Sequence, residues 1–107
     1  MELIKGAGTA PAVEDYVEHI RSGSLSAGVY VIGVGGVDDQ TPHREDEVYY
    51  VAAGRATLVT DSGRAEVGPG DLVFVPAMEG HRFTEVTEEL RLLVFFAPAY
   101  TGRTEKI

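Results

Sequence analysis

From Leu25 to Pro98 the chain is a succession of short β-branched and aromatic runs, each cut off by turn residues. That texture leaves little room for anything but an all-β domain. The runs cover residues 27–34, 47–53, 56–60, 65–67, 72–75, 81–86 and 90–97. Asp61-Ser62-Gly63 reads as a hairpin turn, and Gly68-Pro69-Gly70-Asp71 as a second tight turn. Many short strands at close spacing bury their apolar faces by forming a sandwich or a closed barrel. Ahead of them, residues 9–23 predict a short helix. Pro11 suits the first turn, Glu14 and Asp15 follow it, Arg21 sits near the end and Gly23 stops it. Val13, Tyr16, Val17 and Ile20 supply its apolar stripe.

A length of 107 residues fits one domain, 1–107, with a barrel core over about 27–98. The chain has no cysteine, which excludes disulfides, thiolate metal sites and thiol nucleophiles. Nothing in it uses an oxidising compartment, so a cytoplasmic location is expected. A net charge of −8 repels phosphate backbones and anionic lipid, so neither nucleic acid nor membrane is an expected partner. No stretch reads as a signal peptide or is long enough for a membrane span.

Two segments carry candidate chemistry. In the first, from Gly36 to Gly54, His43 and Glu47 are separated by three residues, and Glu47 and Gly54 by six. In the second, Gly70 is followed after five residues by Pro76, and Pro76 after four by His81. The two together resemble the paired motifs of the cupin family, over roughly residues 27–98. The resemblance implies a cupin-type double-stranded β-helix, a jelly-roll barrel, here with a short N-terminal helix. It also departs from the family pattern. Thr41 stands where the first motif has its first histidine, Met78 where the second has an inner glycine, and Glu85 where it has a trailing asparagine.

The resemblance implies one divalent metal ion (Fe, Mn, Ni or Zn) on His43, Glu47 and His81. Two neutral imidazoles and one carboxylate are a suitable donor set for such an ion. A threonine hydroxyl is a poor ligand, so Thr41 leaves positions open to water or substrate, as in the facial set of non-haem iron enzymes. Thr41 and Gln40 are the candidates for a fourth position, with Gln40 facing away from Thr41 by parity. Strand alternation puts Tyr49 and Val51 on the face of Glu47, and Phe83 on that of His81. These three are the expected pocket lining, and Arg82 should point outward.

Alone, each histidine reads as a hydrogen-bonded structural residue, and Glu47 as a surface charge paired with Arg44 or Arg55. Three functions are therefore carried forward. One is a metal-binding cupin with dioxygenase-like action on a small molecule. Another is a metal-dependent isomerase or epimerase, although no additional acid or base in the lumen stands out from the sequence. The third is a non-catalytic small-molecule binder or a metal-free, degenerate barrel. A homodimer is expected from family habit.

Overall fold

Two long strands carry the architecture: β3 (Asp46–Thr60) and β6 (His81–Ala97), paired antiparallel over most of their length. The computed structural model describes residues 1–9, 16–38 and 42–102, and every regular element among them is a strand. The others are β1 (Tyr16–Arg21), β2 (Ser26–Ile32), β4 (Gly63–Val67) and β5 (Leu72–Val75). The ladder runs β1-β2-β6-β3-β4, with β5 also on β3. Asp61 and Ser62 turn β3 into β4, with Thr60 opposite Gly63.

The sequence runs 47–53 and 56–60 are thus one strand, as are 81–86 and 90–97. What separates them is a bend. The β3–β6 register slips three times between Val51 and Thr57. Across that stretch the inward-facing residues of β3 change from 47, 49 and 51 to 54, 56 and 58. In β6 they change from 81 and 83 to 86, 90, 92, 94 and 96. Extra residues in a ladder bend the strand and re-aim its side chains. Gly54 makes the bend possible. Its φ is 92°, and a Cβ there would overlap the carbonyl oxygen of Glu89.

Each long strand therefore serves two sheets. The first half of β3 and the second half of β6 pair with β5 and β2, and β1 extends that sheet beyond β2. The other two halves pair with each other, and β4 joins them. The inner faces meet in one apolar cluster that includes Tyr49, Val51, Leu58, Phe83, Leu92 and Val94. The Tyr49 and Phe83 rings cross it edge to face, with centroids 5.0 Å apart. The result is an all-β jelly-roll barrel, as the motif resemblance implied.

The helix expected over 9–23 does not form where the structure describes that segment; residues 10–15 lie outside the described residues. Tyr16–Arg21 is a strand on the edge of β2. The register slips between Glu18 and Ile20, so the burial pattern there repeats every three residues rather than every two. A bulged strand thereby imitates the apolar spacing of a helix. Pairing with an open sheet edge, together with ring packing of Tyr16 on Phe96, outweighs weak local helix preference. Among the described residues no helix is long and apolar enough to cross a membrane.

Among the described residues, Met78 and Glu85 are the two non-glycine residues with positive φ, 70° and 52°. They are also the two positions at which the second motif lacks its glycine and asparagine. The left-handed backbone required there is costly for a side chain that cannot relieve it. Glu85 gains partial compensation, because its carboxylate accepts from Thr57 Oγ1 at 2.9 Å and Arg64 Nη2 at 3.2 Å. Met78 is 41 % exposed and keeps its role through its backbone, whose N–H donates to the His43 carbonyl at 2.7 Å. Met78→Gly retains that bond and should raise stability by about 0.5–1 kcal/mol in urea melts.

Candidate metal centre

His43 lies three residues before the start of β3, Glu47 is the second residue of that strand and His81 is the first residue of β6. In the ladder, His81 lies opposite Thr60, at the far end of β3 from Glu47. The bend in both strands folds that end over, and the three side chains converge inside the barrel. All three are buried, with exposures of 4, 1 and 6 %. One ligand atom from each lies within 4.8 Å of the other two. His81 Nε2 is 2.9 Å from Glu47 Oε1, and His43 Nε2 is 3.7 Å from it.

The loop before His81 is fastened to the first motif. Asp46 Oδ1 accepts from the Ala77 N–H at 2.8 Å, beside the Met78–His43 backbone bond. Asp61, in the hairpin turn, accepts from the Gly80 N–H at 2.7 Å and donates its own N–H to the Gly80 carbonyl. Ser62 Oγ donates to Glu79 at 2.7 Å. His81 Nδ1 faces the Glu79 carbonyl at 3.0 Å. A carbonyl oxygen only accepts, so Nδ1 carries the proton, and in the neutral ring the lone pair is on Nε2, facing Glu47. Burial depresses the His43 pKa, with the neighbouring carboxylates opposing, and favours its neutral, ligating form. Burial also acts on His81, but Glu47 and the Glu79 carbonyl outweigh it and raise the pKa.

These residues suit a metal ion. Glu47 Oε1 is buried with the Nε2 atoms of two imidazoles as its close polar neighbours. When His81 is neutral with its proton on Nδ1, that oxygen receives no hydrogen bond, an expensive state for a carboxylate that either an imidazolium at His81 or a metal ion relieves. An ion with bonds of about 2.1 Å holds neighbouring donors roughly 3 Å apart, close to the two spacings found here.

The alternation along β3 puts Glu47, Tyr49 and Val51 inside, with Tyr50 exposed and Val48 half-buried. Phe83 lies inside with His81, and Arg82 is exposed. Tyr49, Val51 and Phe83 are packed core residues, and of the three Tyr49 reaches the centre, its hydroxyl 3.1 Å from His81 Nε2. The cavity beside Glu47, about 170 Å³, has other walls: Tyr16, Tyr30, Val94, Phe96 and Tyr100. Thr41 and Gln40 lie outside the described residues. Arg55 is on the surface against Glu88.

Two buried acids escaped the sequence reading. Glu45 is 2 % exposed, and its Oε2 accepts from Thr101 Oγ1 at 3.0 Å. The alternation 43, 45, 47 carried the signal, since Arg44 and Asp46 between them are exposed. Asp38 is 6 % exposed and accepts from the Tyr30 hydroxyl at 3.0 Å and the Phe83 N–H at 2.8 Å. Burial, reinforced by the Glu18 and Glu47 carboxylates, pushes the Tyr16 phenol well above its ordinary range.

A bent antiparallel barrel with two histidines and a carboxylate gathered in its lumen is the architecture of a small single-domain cupin. The chain belongs to the cupin family: the family model of the cupin domain matches residues 28–96. An uncharacterized protein of Streptomyces coelicolor is 40 % identical over 83 residues, covering 78 % of this chain and 79 % of that one. A solved RmlC-like cupin from Shewanella frigidimarina superposes with a TM-score of 0.74 at 18 % identity, over 94 % of this chain and 92 % of that one. The EutQ protein of Clostridium difficile gives 0.67 at 23 % identity over 78 % of this chain. This chain spans only 61 % of the EutQ chain. At these identities the two structures are similar in fold alone.

Proposed function

We propose that this cupin holds one divalent first-row metal ion on His43, Glu47 and His81 and acts there on a small molecule. The observation that carries the reading is the convergence of one ligand atom each from His43, Glu47 and His81 to within 4.8 Å, all three side chains buried. Bound there, the ion would supply Lewis acidity and, as iron, open positions for dioxygenase-like chemistry. Three protein donors leave coordination positions for substrate. The chain's own contribution is positioning: Glu79 fixes the His81 ring, and the buried rings of Tyr49 and Phe83 keep water from that side. We place the protein in the cytoplasm, in keeping with its lack of cysteine.

One observation favours a second reading, a metal-dependent isomerase or lyase. The Tyr49 hydroxyl, 3.1 Å from His81 Nε2, is an acid–base group at the centre itself. Metal analysis of the purified protein tests the shared claim, and about one ion per chain is expected. Oxygen uptake across small thiols, phenols and diketones then separates the readings. Turnover with Fe(II) but not Zn(II) favours oxygen chemistry. Oxygen-independent turnover that Tyr49→Phe abolishes favours the second. A protein that takes up no metal ends both.

The expected homodimer has a candidate face. On the outside of the larger sheet, Phe74, Val48 and Phe95 form one cross-strand row, and Leu72, Tyr50 and Leu93 the next. Leu72 and Phe74 are 72 and 62 % exposed. Adjoining apolar rows of this kind mark an interaction surface, and a second copy presents the matching rows. Phe74→Glu should halve the mass measured by light scattering, and an unchanged mass would remove this face from the assembly.

A further inference from the structure

The cavity beside the candidate metal centre is walled by aromatic rings, and each is fastened by contacts of its own. Tyr16 stands edge-on to Tyr30, Phe96 and Tyr100, with centroids 6.3–6.5 Å away and interplanar angles of 83–90°. Phe96 and Tyr100 stack at 4.5 Å. The Tyr16 ring fits because residue 28 is glycine. A Cβ there would sit 2.8 Å from both its Cε1 and its hydroxyl oxygen. Tyr30 donates its hydroxyl to the buried Asp38. Tyr100 lies beyond the last strand but is held at its backbone: its N–H donates to Ser26 Oγ at 2.9 Å, and its carbonyl accepts from Arg21 Nη2 at 2.7 Å.

Among the described residues that line this box Glu47 is the charged group and no lysine or arginine lines it, the Arg21 guanidinium being engaged with the Tyr100 carbonyl and Glu18. Glu45 is buried nearby, and its Oε1 has no hydrogen-bond partner. Anions would meet carboxylates, whereas a cation would be attracted by the carboxylates and by the electron-rich aromatic walls. The cavity of about 170 Å³ corresponds to roughly six water molecules. That is room for a compact group such as trimethylammonium.

We infer that the Tyr16–Tyr30–Phe96–Tyr100 box beside Glu47 is a binding site for a small organic cation. The inference goes beyond the metal reading and does not require it. A divalent ion on Glu47 would offset much of the local negative charge, so the cation should bind more tightly to chelator-treated protein.

The probe is choline, compared by titration calorimetry with its neutral isostere 3,3-dimethylbutan-1-ol, on metal-depleted and metal-loaded protein. Choline should bind at least tenfold more tightly than the alcohol to the depleted protein. Tyr100→Leu should weaken choline at least fivefold, whereas Val34→Ala, exposed in the turn after β2, should leave it unchanged; circular dichroism confirms that both variants fold. Equal affinity for choline and the alcohol overturns the inference, as does a folded Tyr100→Leu that binds choline normally. Metal content measured on the same samples keeps the two claims apart. Choline selectivity in a protein that takes up no metal sinks only the metal reading, and metal uptake without selectivity sinks only this one.

Discussion

His81→Ala should abolish stoichiometric metal binding and, with it, the rise in melting temperature that metal gives the wild type. An ion that binds only the folded state stabilises it by about 2.7 kcal/mol at a hundredfold excess over Kd. For a chain of this length that is a shift on the order of 10 °C. With three protein donors, the loss of one leaves a site too weak to hold the ion through dialysis, so the variant should melt at the same temperature with metal or with chelator. His81 also contacts Tyr49 and Glu47, so the metal-free variant should itself be less stable than the metal-free wild type, by about 1–3 kcal/mol. Tyr49→Phe separates the effects: it removes the hydroxyl contact but should still bind metal. Metal retained in dialysed His81→Ala would show that the ion sits elsewhere.

Gly54→Ala should cost about 2–5 kcal/mol, a large part of the 5–15 kcal/mol that stabilises an ordinary domain. Two costs combine. A side chain at φ 92° is strained by about 1–2 kcal/mol. The added Cβ also overlaps Glu89 and Leu90 backbone atoms, and these cannot move without opening the β3–β6 ladder, at a further 1–3 kcal/mol or so. Gly70 supplies an internal control. Its φ is also 92°, but a Cβ there meets nothing within 4 Å. Gly70→Ala should therefore lose only about 1–2 kcal/mol. Urea melts of the two variants measure the difference, and equal losses would mean that close approach at Gly54 contributes nothing.

The bend at Gly54 also explains what could be read early and what could not. The sequence is enough for the strands, the turns at Asp61-Ser62-Gly63 and Gly68–Asp71, and the inward parity of Glu47, Tyr49 and His81, because all of these depend on residues within a few positions of one another. Local pattern misled at Tyr16–Arg21, where a bulge gave a strand the apolar spacing of a helix. It also split β3 and β6 at points where the chain bends without ending a strand.

The family motifs named His43, Glu47 and His81 without any view of their distances. Tertiary structure alone brings them to within 4.8 Å, because His81 pairs with Thr60 and reaches Glu47 only when both long strands fold over. The aromatic box was equally invisible, since its walls come from residues 16, 30, 96 and 100, which share no local pattern. Periodicity fixes which face a side chain takes. Which faces then meet depends on where the ladder slips register, and that is a property of two paired strands rather than of either one alone.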